Sequence, residues 1–297
     1  MAAARAYVDR PIGDGTAAAG AACTAARRWR LAEPDLLRVG MNAIFVAGPH
    51  VLRVSAPTVP AAASLELMAF LADAGLNVPR PERSDVVEVG GLSVTCWQRL
   101  EPTGEAIDWR AVGAMVRVVH AIDRSTLPKS VPVPEPTSLP WWDFAALLAR
   151  AAPALDQPAR RGLEAAVERH RGWESLPGRV VCHGDVHPGN VVMTREGATL
   201  IDWDLLCWAP PGWDHGPLLT WASRWGGTGA EYPAFAGGYG WSLVDDPAAT
   251  AFAELRLVAA TLMRLIAGMS DPSAMSEAQR RLGYWRGDPE APPWIAQ

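Results

Sequence analysis

Long apolar runs are missing from this chain of 297 residues. No stretch approaches the ~18 to 20 consecutive apolar residues that a membrane-spanning helix requires. The Ala-rich N-terminus carries Arg5, Asp9, Arg10 and Asp14 and lacks the Leu/Val core of a signal peptide. Basic residues pair at most, as in Arg27-Arg28 and Arg160-Arg161, and the net charge is −5 with a pI near 5.7. Neither nucleic acid nor an anionic membrane surface is therefore an expected partner. Cysteine is sparse. Cys23, Cys96, Cys182 and Cys207 are scattered without a C-x-x-C, which points to buried thiols in a reducing compartment rather than disulfides or zinc ligands. Only six histidines occur, and His50, His170 and His215 fall at no metal-ligand spacing. No internal repeat is present. The cytoplasm is the expected location.

What remains is ordinary globular material, 49% apolar and 20% charged, long enough for two lobes with a real core. Residues 1–33 form an Ala-rich segment with a helical patch near Thr16 to Leu31, expected to be held loosely. Three short β-type runs follow, at 36–39, 43–46 and 51–54, separated by Gly40-Met41-Asn42 and Ala47-Gly48-Pro49-His50. Ala61 to Ala74 has apolar residues at helical spacing and Gly75 behind it. Residues 85–89 and 92–98 read as another strand pair across Gly90-Gly91. Residues 35–100 thus predict a five-stranded antiparallel sheet with one inserted helix. Glu101-Pro102-Thr103-Gly104 marks a break, after which the pattern is mostly helical. The expected division is an N-terminal segment (1–33), an N-lobe (34–100) and a C-lobe (101–297), in an α+β fold.

Chemistry concentrates in His183-Gly184-Asp185-Val186-His187-Pro188-Gly189-Asn190 and in Ile201-Asp202-Trp203-Asp204. The flanking apolar runs read as strand, tight polar loop, strand, turn, strand, a catalytic β-hairpin that sets both motifs on one small sheet. Phosphoryl transfer from a nucleotide needs a carboxylate near the acceptor hydroxyl and oxygen donors for Mg²⁺. Asp185 suits the first role, and Asn190 and Asp202 suit the second. His183 suits a loop-holding hydrogen bond, and Gly184 and Gly189 suit the tight turns.

H-x-D-x-x-x-x-N followed by a strand-borne Asp resembles the motifs of the aminoglycoside phosphotransferase and choline kinase-like family, over roughly residues 35–270. The resemblance implies a two-lobed protein-kinase-like fold and an ATP- and Mg²⁺-dependent phosphotransferase acting on a hydroxyl of a small molecule. An aminoglycoside, an amino sugar or sugar, or an amino alcohol would be the acceptor. By position it implies Asp185 as catalytic base and Asn190 and Asp202 as metal ligands. It puts Arg53 in the place of the usual strand lysine, with Glu66 as its partner, and Asn42 in a reduced Gly-rich loop. Trp97 and Gln98 fall on the hinge strand expected to face adenine. Asp204, Trp208, Trp213 and Asp214 are candidate substrate contacts, and Asp214 also resembles the helix-opening Asp that braces the catalytic loop.

These residues have plainer readings as well. Arg53 could be a strand arginine laid along the sheet, and Glu66 a solvated helix charge. His120 reads as a satisfied core histidine, and most of the 14 tryptophans as helical core. Two other function classes stay open on residues alone. A metallophosphoesterase is suggested by Asp185-Val186-His187 and Gly189-Asn190, against the small number of histidines. A non-catalytic kinase-like nucleotide-binding module is suggested by the missing strand lysine, against the intact Asp185, Asn190 and Asp202.

Overall fold

The meander expected over residues 35–100 forms a five-stranded antiparallel sheet: β1 (Asp35–Val39), β2 (Ala43–Ala47), β3 (His50–Ser55), β4 (Val87–Val89) and β5 (Leu92–Gln98), in the order β1-β2-β3-β5-β4. The computed structural model describes residues 12–13 and 15–295; Arg5, Asp9, Arg10 and Asp14 lie outside them. Register sorts the two faces of the sheet, because residues directly opposite one another point to the same side. Phe45, Leu52 and Cys96 are in register, and so are Ile44, Arg53 and Thr95.

The first of these faces is covered by α1 (Gly15–Trp29). Its buried residues are Ala18, Ala21, Ala22, Ala25, Ala26 and Trp29, a stripe at helical spacing that shares one core with Phe45, Leu52, Val54, Val94 and Cys96. Small side chains let the helix lie close to the sheet, and the Trp29 indole donates to Asp85 Oδ1 at 3.0 Å. Residues 15–29 are therefore core, not the loosely held segment expected. Alanine composition alone misleads here, because the helix is anchored by what lies opposite it. Between β3 and β4, α2 (Ala62–Asp73) buries Leu65, Leu67, Met68 and Leu71. It ends in a Schellman turn, with Gly75 at φ +84° and Leu76 N–H donating to Leu71 O at 3.0 Å.

Residues 180–209 do not build the single three-strand sheet that the sequence suggests. They build two separate ribbons. β6 (Val180–Cys182) pairs with β9 (Cys207–Ala209), while β7 (Val191–Thr194) pairs with β8 (Gly197–Leu200). Apolar runs of three or four residues carry no information about which neighbour they will choose, so periodicity could not separate these pairings. The chain divides into two units, and no single cut in sequence separates them. The first takes Met1–Asp108, Ile122–Pro134 and Asn190–Leu205. Within it the β7–β8 hairpin is pinned by Leu200 N–H to Asn77 O (3.2 Å), Asn77 Nδ2 to Ala198 O (3.1 Å) and Thr103 N–H to Met193 O (2.9 Å).

The second unit takes Trp109–Ala121, Glu135–Gly189 and Leu206–Gln297. It holds the β6–β9 ribbon and α3 (Trp109–His120), α4 (Phe144–Ala151), α5 (Gln157–Arg169), α6 (Gly212–Leu219), α7 (Trp221–Arg224), α8 (Glu231–Tyr239), α9 (Pro247–Gly268) and α10 (Pro272–Trp285). Asp143, Asp156, Asp246 and Asp271 cap α4, α5, α9 and α10, each accepting a backbone N–H of the first turn at 2.8–3.0 Å. Trp142, Trp173, Trp213, Phe144 and Phe252 form one buried aromatic cluster, with Trp142 and Trp213 centroids 4.3 Å apart. Among the described residues no helix is long and apolar enough to cross a membrane.

Helices α3 and α8 meet backbone to backbone. A Cβ on Gly113 would lie 2.0 Å from Phe235 O, and one on Gly238 would lie 1.8 Å from Arg110 O. Gly113→Ala is therefore expected to destabilise the protein by at least the ~1–3 kcal/mol typical of overpacking, despite alanine's better helix propensity. A lower urea midpoint measures this, and an unchanged or raised midpoint would contradict the close approach.

Candidate active site

The second unit presents Asp185 on a loop held from beneath. β6 ends at Cys182, and the chain turns at Gly184 with φ +93°. The Asp214 carboxylate, on the first turn of α6, is fully buried. It accepts the backbone N–H of His183 (Oδ2, 2.8 Å) and of Gly184 (Oδ1, 2.8 Å). His120 Nε2 lies 3.0 Å from Oδ2, and His120 Nδ1 lies 2.9 Å from the Tyr239 hydroxyl. An acceptor-only carboxylate requires Nε2 to carry the proton, so Nδ1 accepts from Tyr239. Burial by itself would raise the Asp214 pKa, but the His120 contact and the Gly184 N–H reverse that and hold it below the usual carboxylate range. Next to it, burial pushes the Cys182 and Cys207 thiols up. His120, Cys182 and Asp214 place ligand atoms within 4.8 Å of one another, but Asp214 already serves backbone donors and the thiol stays protonated, so this is a packed brace rather than a metal site.

The loop then orders its own tip. His183, fully buried, accepts the Asp185 N–H at Nδ1 (3.2 Å). His187 accepts the Gly189 N–H at Nδ1 (3.1 Å), which leaves the proton on Nε2, 3.4 Å from Asp185 Oδ2. Arg256 of α9 donates through Nη2 to Asp185 Oδ1. Burial pulls this guanidinium down to about 10, where it remains charged at neutral pH.

The first unit presents the other candidate groups at the open end of the β7–β8 hairpin. Val191 and Leu200 are in register, and the ladder runs one step further as Ile201 N–H donates to Asn190 O at 3.0 Å. The hairpin thereby places Asn190, buried, and Asp202, exposed, at its base on opposite strands. Asp202 sits at φ +63°, a left-handed conformation that Asp tolerates better than most residues. The buried Trp203 indole donates to Leu200 O at 3.0 Å and locks the turn that follows. An amide oxygen and a carboxylate at one hairpin end are hard donors suited to Mg²⁺. Arg53 forks onto Asp204, Nη1 to Oδ1 at 2.8 Å and Nη2 to Oδ2.

The family model described as phosphotransferase enzyme family matches residues 43–255. The chain belongs to this family. It is a small-molecule phosphotransferase, a kinase of low molecular weight acceptors. Its fold is similar to that of spectinomycin phosphotransferase APH(9)-Ia in complex with ADP and spectinomycin, at 16% identity and TM-score 0.64, covering 86% of this chain and 89% of that one. Aminoglycoside phosphotransferase APH(3'')-Id from Streptomyces rimosus, in complex with ADP and streptomycin, matches at 20% identity and TM-score 0.58, covering 79% and 96%. Macrolide 2'-phosphotransferase MphH from Brachybacterium faecium matches at 19% identity and TM-score 0.53, covering 88% and 96%. No curated protein matches the sequence.

Several site expectations of this phosphotransferase change in the structure. Arg53 is forked onto Asp204, and the expected partner Glu66 instead accepts the Ser130 hydroxyl. Trp97 is 8% exposed and spends its indole N–H on Thr95 Oγ1 at 2.8 Å, so it is packed within unit 1 rather than an open adenine wall. The N–H groups of Gln98 and Arg99 donate to Arg80 O and Pro49 O, both at 2.9 Å, which removes them from base reading. Asn42 is half-buried in the β1–β2 turn, its carbonyl accepting Gly40 N–H at 2.9 Å. Trp213 and Asp214 are 2% and 0% exposed and cannot meet a substrate; the Trp213 indole donates to Gly184 O at 3.2 Å, so both brace the loop. Trp208 is half-buried in β9 opposite Val181. Arg256 is the residue that sequence reasoning missed. Its signal was a basic residue set among Leu255, Leu257 and Val258, two places after Glu254, on a mostly apolar helix stretch.

Asp214→Asn keeps the shape but removes the charge and one acceptor. It is expected to cost about 3–5 kcal/mol, the usual penalty for breaking a buried ionic network. Because the folded-state pKa of Asp214 is depressed, its stabilisation is present above the unfolded value of about 3.9 and is lost as pH falls through the folded one. Urea midpoints of the wild type should therefore fall in the acid range with a component that Asp214→Asn lacks. Parallel acid profiles for the two proteins would refute the brace.

Proposed function

We propose that this phosphotransferase moves the γ-phosphate of ATP to a hydroxyl of a small molecule. The observation that carries the reading is Asp185, held half-exposed at the tip of a loop whose two preceding N–H groups are clamped by buried Asp214. Solved structures of similar fold are described with ADP together with spectinomycin or streptomycin, which supports a nucleotide donor and a small hydroxylated acceptor.

In this reading the first unit takes the nucleotide and the second takes the acceptor. Asp185 accepts the hydrogen bond of the acceptor hydroxyl, orients its oxygen and receives its proton as the new O–P bond forms and the bridging O–Pγ bond breaks, with ADP leaving. Asn190 and Asp202 would hold Mg²⁺, which when bound neutralises charge on the phosphate oxygens. Arg53 binds phosphate through the same forked edge that it now offers Asp204, a geometry that lysine could not copy. Asn42 closes over the phosphates from the β1–β2 turn. Reading of adenine does not fall to the N–H groups of Gln98 and Arg99, which are engaged with Arg80 O and Pro49 O. The bracing of the loop means that little reorganisation is left for the moment of reaction. All oxygen donors at the hairpin end are amide or carboxylate, which does not suit a histidine-rich two-metal phosphoesterase.

Asp185→Asn is expected to lower γ-phosphate transfer by about 10²–10⁴-fold, while nucleotide still raises the melting temperature. Turnover at the wild-type rate in that variant would sink the reading. Asp202→Asn should abolish the Mg²⁺-dependent part of nucleotide binding measured by calorimetry; binding that stays equally Mg²⁺-dependent would remove Asp202 from the metal role.

A further inference from the structure

The net charge of −5 suggests a cationic acceptor, but the corner around Asp185 is not acidic. Arg256 projects from α9 with its side chain one-quarter exposed, next to buried Leu255, Leu257 and Val258. Its contact with Asp185 runs through Nη2. A guanidinium carries five donors in a planar fork, so a single contact leaves an edge suited to a second, bidentate anion. His187 stands at the other Asp185 oxygen, so both oxygens of the base have a donor beside them.

The carboxylates on the helices around this loop are committed elsewhere. Asp214 is buried in the loop brace. Glu231 accepts the N–H groups of Thr228 and Gly229, both at 2.8 Å. Asp246 caps α9 by accepting the Ala249 N–H at 2.8 Å. Its neighbour Asp245 is exposed and lies before the start of α9. Glu254 pairs with Arg169 and His170. A polycation approaching Asp185 therefore meets a guanidinium already neutralising the base. Beside the loop, His187 stacks on Trp221 (centroids 6.2 Å, 14°) and Trp221 on Trp225 (5.7 Å, 13°), a half-exposed aromatic stack that turns ring edges, not faces, outward.

We infer that Arg256 is a specificity determinant and that the acceptor is a ring-bearing hydroxyl compound carrying an anionic group close to the hydroxyl, as a sugar acid does. The anion sits on the outer edge of Arg256 and the hydroxyl at Asp185, with the ring against the edge of the His187–Trp221 stack. One guanidinium thus fixes the base and the acceptor together. This inference rests on the phosphotransfer reading for its meaning but not for its test.

Binding of glucuronate and of glucosamine, which share the ring and differ in charge, is titrated by calorimetry on the full chain with Mg²⁺ and a non-hydrolysable ATP analogue. Wild type should bind glucuronate at least about tenfold more tightly, as expected for a charge-assisted contact. Arg256→Gln should bring the two within about twofold, and Arg256→Lys, which keeps the charge, should keep the direction of preference. Equal or tighter binding of glucosamine by wild type overturns the inference. So does a preference that survives Arg256→Gln, and so does binding of neither probe. A parallel transfer screen with ATP and Mg²⁺ separates the two claims. Phosphorylation of amino sugars alone would refute the anionic acceptor and leave phosphotransfer standing. Glucuronate preference without transfer to any hydroxyl would do the reverse.

Discussion

The buried carboxylate of Asp214 is the constraint on which the rest of the second unit depends. A charge with no exposure to water is tolerable only if donors surround it, and here they come from three directions: two backbone N–H groups of the catalytic loop and the His120 ring. Each donor ties a different element to the same point. The loop is forced through the left-handed turn at Gly184, α6 supplies the acid, and α3 supplies the imidazole. Tyr239 of α8 then meets the other nitrogen of that imidazole, Nδ1, at 2.9 Å. The glycine contacts between α3 and α8 bring those two helices close enough for the chain of bonds to close. Loop geometry is thus set by a polar network that would be costly to leave half made.

The first unit works by different means. Its hairpin end brings Asn190 and Asp202 to one place through ordinary strand register and one strained residue. Lys129 is the only lysine in the sequence, and it is exposed in the 122–134 segment. The cationic place on β3 therefore falls to an arginine, and an arginine demands a planar partner. Asp204 provides one. A lysine would not have needed so fixed a companion, because its ammonium is a point charge on a flexible stem.

Charges in this protein act locally. The overall acidity describes long-range attraction, yet Asp185 and Glu254 each face two nitrogen donors, Arg256 with His187 and Arg169 with His170. Arg256 shows how little a sum of charges says about a site. Its guanidinium is pulled down by burial to about 10 and stays charged at neutral pH, and the loop that presents its carboxylate partner is fixed by Asp214.

The five-stranded sheet, the helix after β3 and the spacing of His183, Asp185, Asn190 and Asp202 were legible in the residues alone. Alternation, turn residues and motif spacing are local signals, and local signals survive in one dimension. The role of α1 was not legible, because an alanine stripe reads the same whether or not a sheet lies under it. Nor were the two ribbons at 180–209, since short apolar strands are interchangeable until their turns are fixed in space. The partners of Arg53, Glu66, Trp97 and Asp185 also had to come from tertiary structure. Arg53 and Asp204 are 151 residues apart, and Arg256 and Asp185 are 71 apart. Sequence thus determined the family-like motif and its spacing, from His183 to Asn190 and on to Asp202. Only folding decided which charge stands beside each of them, because long-range ion pairs follow from packing and leave no periodic trace in the chain.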